Sequence, residues 1–342
     1  MANRPAALIR QTADDFLVVE IPKVVPDGQG EHLMVRIRKR DANTPWVATQ
    51  LARWAGVPAR AVSWAGLKDR RAVTEQWYSI HCMDAQPDPD TFEVDGVELL
   101  ELHRHSRKLR RGALAGNRFR IVLRELTENA ASVALAVPRI AIGVPNRFGP
   151  QRFGRGGRNL LRAQRWFAGG AEPRDRMQRG MLISAARAAV FNAILDLRIA
   201  AETWATPIDG DVMMLDGRGS RFAVDFSDPT LEPRCAAGEI HPSGPLWGKG
   251  GSDATGEAAA CEQAVVARHR ALADGLERVA DAERRSFRVM PRALTSTVVD
   301  AGTLVLEFEL PSGAYATTLL DQLVEWRVPG EELEGDLDVG DD

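Results

Sequence analysis

The sequence predicts an α+β protein with strand-rich ends and a helix-rich middle. Segments of alternating apolar and polar residues lie within residues 15–124 and again at 303–310. Residues 143–290 instead contain two long stretches of helical periodicity among Gly-rich and Pro-rich loops. With 342 residues, 44% of them hydrophobic, the chain is long enough for two domains or for one large domain with an insertion.

The N-terminal part is predicted to contain one helix among strands. The helix begins at Thr44-Pro45, because Pro is favoured in a first turn, and ends at Gly56, with Trp46 and Trp54 in the core. Strands at 15–20 and 32–38, separated by a Pro/Gly turn, are expected to form a hairpin. Further strands are predicted at 77–82, 97–103 and 118–124. The last of these alternates apolar residues with arginines, so one face needs a core and the other water or an anion.

The remaining elements follow a short predicted helix over 130–142. Residues 146–157 form a Gly/Arg/Phe loop whose glycine spacing fits neither a Rossmann fingerprint nor a P-loop. Helices are predicted at 181–203 and 258–280, a strand at 303–310 and a helix at 314–326.

Composition excludes several classes of protein. No apolar run approaches the roughly 20 residues that span a bilayer, and no sustained apolar segment precedes Asp14, which argues against a secretory signal. The three cysteines form neither a disulfide framework nor a metal knuckle. The six histidines form no metal-ligating motif, so no metal and no dissociable cofactor are expected. A cytoplasmic protein is predicted.

The charge distribution favours an anionic polymer as partner. The net charge is -3, but residues 331–342 hold seven acids and no base, which predicts a disordered tail. Without that tail the net charge of residues 1–330 is +4. Two acid-free runs, 103–120 with seven Lys or Arg and 147–165 with six Arg, could bind a nucleic acid or form solvated faces.

A lone acid, Asp69, lies among the cations Lys68, Arg70 and Arg71 after the apolar run 61–64. Nearby positive charge lowers a carboxyl pKa, so Asp69 is expected to be ionised and able to act as a nucleophile or a base. The alternative is a salt-bridged loop without catalytic function. The local residues do not distinguish these two readings.

Four segments together resemble the TruD family of tRNA pseudouridine synthases. They are 65–77 (AGLKDRRAVTEQW), 116–119 (GNRF), 143–154 (GVPNRFGPQRFG) and 310–317 (LPSGAYAT). The four segments occur in the order found in the family and span most of the chain, whereas residues 170–286 match less closely. The sequence departs from the family pattern at Arg10, where relatives have Lys, and at Tyr315, where Phe is found.

The resemblance implies a pseudouridine synthase fold, with a mixed, largely antiparallel sheet and flanking helices, plus an inserted α/β domain. The catalytic domain would comprise 1–142 and 288–330, and the inserted domain 143–287. The implied reaction converts uridine 13 in the D-arm of tRNA to pseudouridine without a cofactor or metal. The implied partner is tRNA, with no membrane contact, and the sequence names no protein partner.

The resemblance also implies roles for individual residues. Asp69 corresponds to the essential Asp, which could attack C1′, attack C6 or remove the C2′ proton to give a glycal. The uridine would be contacted by five residues: Phe16, Lys68, Asn117, Phe119 as the stacking ring, and Tyr315. The residues predicted to contact RNA phosphates are Arg107, Lys108, Arg110, Arg111, Arg152 and Arg155. A tRNA-binding protein without catalysis, or an enzyme acting on another RNA, is the alternative.

Overall fold

The computed structural model describes residues 4–83 and 87–330, and the predicted acidic tail lies outside them. The N-terminal elements are β1 (Ala6–Leu8), β2 (Phe16–Pro22), β3 (His32–Arg40), α1 (Thr44–Trp54), β4 (Val62–Trp64), β5 (Val73–His81), β6 (Val97–His105), β7 (Leu114–Leu123), α2 (Ala130–Ala134) and α3 (Val137–Ala141). The predicted helix over 130–142 is thus divided into two short helices.

The middle of the chain continues with β8 (Val144–Pro145), α4 (Arg158–Phe167), α5 (Arg176–Ala200), β9 (Val212–Leu215), β10 (Arg221–Ala223), α6 (Leu231–Ala236), β11 (Ile240–Leu246), α7 (Gly256–Arg268), α8 (Arg270–Val279), β12 (Glu283–Ser286) and β13 (Arg288–Val289). The long helix predicted over 258–280 is two helices separated at His269.

The C-terminal elements are β14 (Arg292–Asp300), β15 (Thr303–Pro311), α9 (Ala316–Leu320) and β16 (Glu325–Arg327). The helix predicted over 314–326 is therefore wrong beyond Leu320, because the chain extends again and β16 pairs in parallel with β1.

The described chain forms two compact units. The first contains residues 4–138, Pro291–Gly313 and 323–330, and the second contains Arg139–Met290 and Ala314–Gln322. The unit boundaries lie within four residues of the predicted ones, except that 314–322 belongs to the second unit. The assignment of catalytic and inserted domains to these units stays a prediction.

The first unit is built on an eight-stranded mixed sheet in the order β14-β15-β7-β2-β5-β3-β6, with β4 also paired to β5. Only β2 and β5 are parallel neighbours along this order. The predicted β2–β3 hairpin is wrong, because β5 lies between these two strands. The α1 helix packs on one face, against Leu33, Val35 and Ile37 of β3, as the alternation in that strand predicts.

Two side-chain environments in the first unit differ from the sequence predictions. Trp46 is 44% exposed, which contradicts its predicted place in the core. Two arginines of the predicted strand 118–124 already have acidic partners, because Arg118 pairs with Glu309 at 2.7 Å and Arg124 with Asp15 at 2.8 Å. The cross-strand acid Glu309 therefore neutralises one member of the first basic run, Arg118.

The second unit is organised around α5. Its buried face, including Leu182, Phe191 and Leu195, packs in one core with residues of α4, α7 and α8. A four-stranded sheet in the order β10-β9-β11-β12 completes the unit, together with the β8–β13 pair. By length and composition α5 could cross a membrane, but half of its most apolar window is buried inside the protein, as in the core helix of a globular unit.

Candidate active site

Asp69 lies in the loop between β4 and β5, which several hydrogen bonds hold in place. The Lys39 Nζ atom donates to the main-chain oxygens of Ala42 at 2.7 Å and Asp69 at 2.9 Å. The main-chain N–H of Lys68 donates to Thr44 Oγ1 at 3.1 Å. The start of α1 and the end of β3 therefore fix the conformation of the main chain at Asp69.

The Asp69 carboxylate contacts a cation that is distant in sequence. Arg10 Nη2 donates to Asp69 Oδ2 at 2.6 Å, and the two side chains are 15% and 39% exposed, respectively. The Arg10 guanidinium also lies 4.0 Å from the centroid of the Phe16 ring. Arg10 adopts a φ of 57°, a left-handed conformation uncommon outside glycine, which points to a locally constrained backbone. Because the Asp69 side chain is 39% exposed, its carboxylate remains accessible to a ligand despite the contact with Arg10.

Lys68 does not pair with Asp69 and does not lie on the surface. Its Nζ atom donates to Asn117 Oδ1 at 2.6 Å and lies 3.0 Å from Glu20 Oε2. Its side chain is only 5% exposed, which leaves it little access to a phosphate. The sequence predicted that cations surround Asp69, and its neighbours Lys68, Arg70 and Arg71 were the expected ones. The cation that pairs with the Asp69 carboxylate is instead Arg10.

Three aromatic rings form a cluster on the same sheet. Phe119 stacks on Phe308 with centroids 5.3 Å apart and planes inclined by 25°, and Phe16 meets Phe119 edge-on at 6.4 Å. Strand register explains this, because Phe119 of β7 pairs with Phe308 of β15 and with Val18 of β2. Phe308, which the sequence analysis did not select, covers one face of the Phe119 ring.

Gly116 shows why β7 approaches β15 so closely beside this cluster. A Cβ atom at residue 116 would collide with the main-chain carbonyl of Leu310, the residue before its register partner Pro311 in β15. Only glycine therefore allows the close pairing that sets the register of Asn117 and Phe119.

Lys39 is a fully buried ionisable group whose side chain contacts the main chain of Asp69. Desolvation lowers its pKa from 10.5 to about 8, although the Asp69 charge acts in the opposite direction. Lys39 is not among the residues predicted from the sequence. The available signal was its position two residues after Ile37, on the apolar side of an alternating strand.

Tyr315 and Arg152 contact each other in the second unit. Arg152 donates from Nε to the Tyr315 hydroxyl at 2.8 Å and from Nη1 to Ser184 Oγ at 3.0 Å. The guanidinium also lies over the Phe148 ring, 5.5 Å from its centroid. These contacts occupy the donors that Arg152 would use on a phosphate, so its predicted role is less favoured than that of an exposed arginine.

The predicted phosphate-binding residues of the first basic run are exposed. Arg107, Lys108 and Arg110 lie in the loop between β6 and β7, as does Arg111, whose guanidinium stacks on Trp64 at 4.7 Å. Arg155 is exposed in the Gly-rich loop of the second unit. These five side chains are accessible to solvent, in contrast to Lys68.

Among the described residues, one group of side chains could ligate a metal ion. The potential ligand atoms of Glu31, His32 and His81 lie within 4.8 Å of one another. Arg60 and Lys108 line the same cavity as the two histidines, and their positive charges oppose the binding of a cation. The predicted independence from metals stays a prediction.

A solved structure shares the fold of this chain. The chain matches a crystal structure from Methanosarcina mazei, assigned as a tRNA pseudouridine synthase D, with a TM-score of 0.71 and 23% identity over 94% of each chain. This likeness and the mixed sheet confirm the predicted α+β pseudouridine synthase fold.

Sequence comparisons identify the family. The family model described as tRNA pseudouridine synthase D (TruD) matches residues 4–161 and 158–323. The tRNA pseudouridine synthase D of Nitrosococcus oceani is 44% identical over 324 residues, which cover 93% of this chain and 90% of the relative. The protein of that name from Xanthomonas campestris pv. campestris is 42% identical over 335 residues, which cover 93% and 91%. The chain belongs to the TruD family, which confirms the resemblance.

Proposed function

We propose that this protein isomerises uridine 13 in the D-arm of tRNA to pseudouridine, with Asp69 as the essential carboxylate. The observation that carries the proposal is the Asp69 carboxylate itself, partly exposed and held 2.6 Å from Arg10. Membership of the TruD family makes the chain a tRNA pseudouridine synthase, which is an isomerase. The position of the uridine and the roles of single residues are part of the proposal.

The reaction is an internal exchange of bonds. The N1–C1′ glycosidic bond breaks, a C5–C1′ bond forms, and the hydrogen on C5 is replaced by one on N1. Substrate and product have the same composition, so the chemistry requires no external oxidant, reductant or group donor. A cofactor-free enzyme is therefore consistent with the reaction.

Asp69 can contribute to this exchange in three ways. Its carboxylate can attack C1′, attack C6 or remove the C2′ proton, and each route needs the ionised form. The Arg10 guanidinium donates to one carboxylate oxygen and holds it in place. The other oxygen forms no hydrogen bond with the described residues, which leaves it available to a substrate atom.

A uridine in folded tRNA must leave its stack before it can reach the partly buried Asp69 carboxylate. Proteins compensate the cost of unstacking by stacking the extruded base on an aromatic ring. We propose Phe119 for this role, supported from behind by Phe308. The roles assigned to Phe16, Lys68, Asn117 and Tyr315 stay predictions of the family resemblance.

The exposed basic residues would bind the tRNA backbone. Arg107, Lys108, Arg110, Arg111 and Arg155 are the better candidates, because they are exposed whereas Arg152 is only partly exposed. Their contribution would be sequence-independent and salt-dependent. A cytoplasmic location, where tRNA is found, belongs to the same proposal.

The test is incubation of purified protein with unmodified tRNA, followed by position-resolved detection of pseudouridine. We expect pseudouridine at position 13 with the wild-type protein and none with Asp69→Asn, while tRNA affinity changes by less than about threefold. Asp69→Asn is nearly isosteric, so the variant tests charge rather than shape. Unchanged turnover in Asp69→Asn would remove Asp69 from the mechanism, and modification only in another RNA would refute the substrate.

A further inference from the structure

The orientation of the Asn117 side-chain amide is fixed by a buried ion pair. Lys68 Nζ lies between Asn117 Oδ1 at 2.6 Å and Glu20 Oε2 at 3.0 Å, and the Lys68 and Glu20 side chains are 5% and 2% exposed. An ammonium group can only donate hydrogen bonds, so the Asn117 atom that faces it must be the carbonyl oxygen. The NH2 end of the Asn117 amide therefore points away from Lys68.

That NH2 group is available to a ligand. Within residues 4–83 and 87–330 it donates to no protein acceptor, and Asn117 is only partly buried. Asn117 and Phe119 are two residues apart in β7, so their side chains lie on the same face of the sheet. Lys68, which holds the amide, directly precedes Asp69 in the loop. The free donor thus belongs to the proposed uridine site.

The chemistry of uracil determines which of its atoms this donor can meet. Uracil has two exocyclic carbonyl acceptors, O2 and O4, and one donor between them, N3–H. During isomerisation C5 must take the place of N1 beside C1′. A half turn of the base about the axis through N3 and C6 achieves this, and it also exchanges O2 with O4. A donor placed against one carbonyl in uridine therefore meets the other carbonyl in pseudouridine.

We propose that the Asn117 NH2 group holds the uracil by a carbonyl oxygen in both orientations, and that Lys68 and Glu20 are positioning residues that keep the donor turned toward the base. This inference rests on the proposed function. Cytosine carries an amino group in place of O4, so in one of its two orientations two donors would face each other. The arrangement thus selects uracil as the base that can be turned over and retained.

The test uses tRNA in which the target uridine is replaced by 2-thiouridine or 4-thiouridine, because sulfur is a weaker hydrogen-bond acceptor than oxygen. We expect the wild-type protein to convert each analogue roughly tenfold more slowly than uridine in single-turnover assays. Asn117→Ala should convert all three substrates slowly. Relative to the wild type, its rate should fall less on the two analogues than on uridine. Intrinsic effects of sulfur are common to both proteins and cancel in this comparison.

The outcomes separate the parts of the inference. If Asn117→Ala keeps the wild-type rate ratios for both analogues, the amide does not hold the base. If the ratio of the uridine rate to the analogue rate decreases for one analogue only, the amide binds a single carbonyl. The proposed exchange of O2 and O4 at the amide is then refuted. If the wild-type protein forms no pseudouridine in unmodified tRNA, the proposed function fails instead.

The positioning role needs a variant that folds. Lys68→Met alone leaves the Glu20 carboxylate buried without its partner, whereas Glu20→Gln combined with Lys68→Met removes both charges. We expect the double variant to melt within about 5 °C of the wild type. Its ratio of the rate on uridine to the rate on each thiouridine should nevertheless decrease, as in Asn117→Ala. A stable double variant with wild-type ratios would show that the amide needs no buried ion pair to orient it.

Discussion

Replacement of Lys39 by Met should change how the stability of the protein depends on pH. Lys39 is fully buried, and desolvation lowers its pKa from 10.5 to about 8. Each pKa unit corresponds to about 1.4 kcal/mol, so the charged side chain costs the folded state about 3.5 kcal/mol relative to the neutral one. Met has a similar length and cannot ionise, so Lys39→Met removes this pH-dependent cost.

The direction of the effect follows from proton binding. Below about pH 8 both the folded and the unfolded chain keep the Lys39 proton, and the full cost of burying the charge is present. Between about pH 8 and 10.5 the folded protein has released this proton while the unfolded chain still holds it. The unfolded state binds more protons in that window, so the contribution of Lys39 to the free energy of unfolding rises with pH.

Urea unfolding of the two proteins between pH 7 and 9.5 measures this contribution. Other ionisable groups are common to both, so the difference between the two curves isolates Lys39. We expect the wild type to gain about 2 kcal/mol relative to Lys39→Met across this range. Parallel curves would refute the lowered pKa and the reasoning from desolvation.

Activity gives a second readout of the same residue. The charged Lys39 ammonium donates to the main-chain oxygens of Ala42 and Asp69, and this hold weakens as the proton is lost. The rate of pseudouridine formation should therefore fall in the wild type as pH rises through about 8. Lys39→Met should be slower at neutral pH and should lack this break in its pH profile.

Two further predictions concern the cations of the first unit. Arg10→Ala should lower the single-turnover rate by at least about tenfold, because it removes the partner of the Asp69 carboxylate, whereas Arg10→Lys keeps the charge and should be less affected. Equal rates for the two variants would argue against an electrostatic role. Arg110→Ala should reduce the slope of log affinity against log salt concentration by about 1, as expected for one lost phosphate contact. Arg118→Ala is the matched control, since Arg118 already pairs with Glu309, and an equal effect of both variants would show that exposure does not identify the RNA surface.

The sequence predicts local elements well where periodicity is strong. Alternation identifies β3 and β7, and the Thr44-Pro45 start identifies α1. The predicted hairpin between the strands at 15–20 and 32–38 is wrong, because adjacency in sequence does not show that a later strand, β5, inserts between them. Strand order depends on contacts across the whole sheet, which a local pattern does not contain.

The candidate site shows the same limit. Family resemblance selects Asp69, but the partner of its carboxylate, Arg10, lies 59 residues away and no local spacing links the two. Lys68 is adjacent to Asp69 in sequence and nevertheless points toward Asn117 and Glu20. Neighbouring side chains in an extended loop point in different directions, so a cation next to an acid in sequence is a weak indication of an ion pair.

The strand order of the large sheet has a consequence for synthesis of the chain. Phe119 of β7 is supported by Phe308 of β15, and β14 and β15 reach the sheet only after residue 311 has been translated. Translation proceeds at roughly 5–20 residues per second, so β7 waits on the order of ten seconds or more for its neighbour. During that interval the edge of β7 that later pairs with β15 is unpaired, and Phe119 lacks its contact with Phe308. A chaperone that shields strand edges should therefore engage ribosome-bound chains after β7 emerges and release them once β15 has left the exit tunnel.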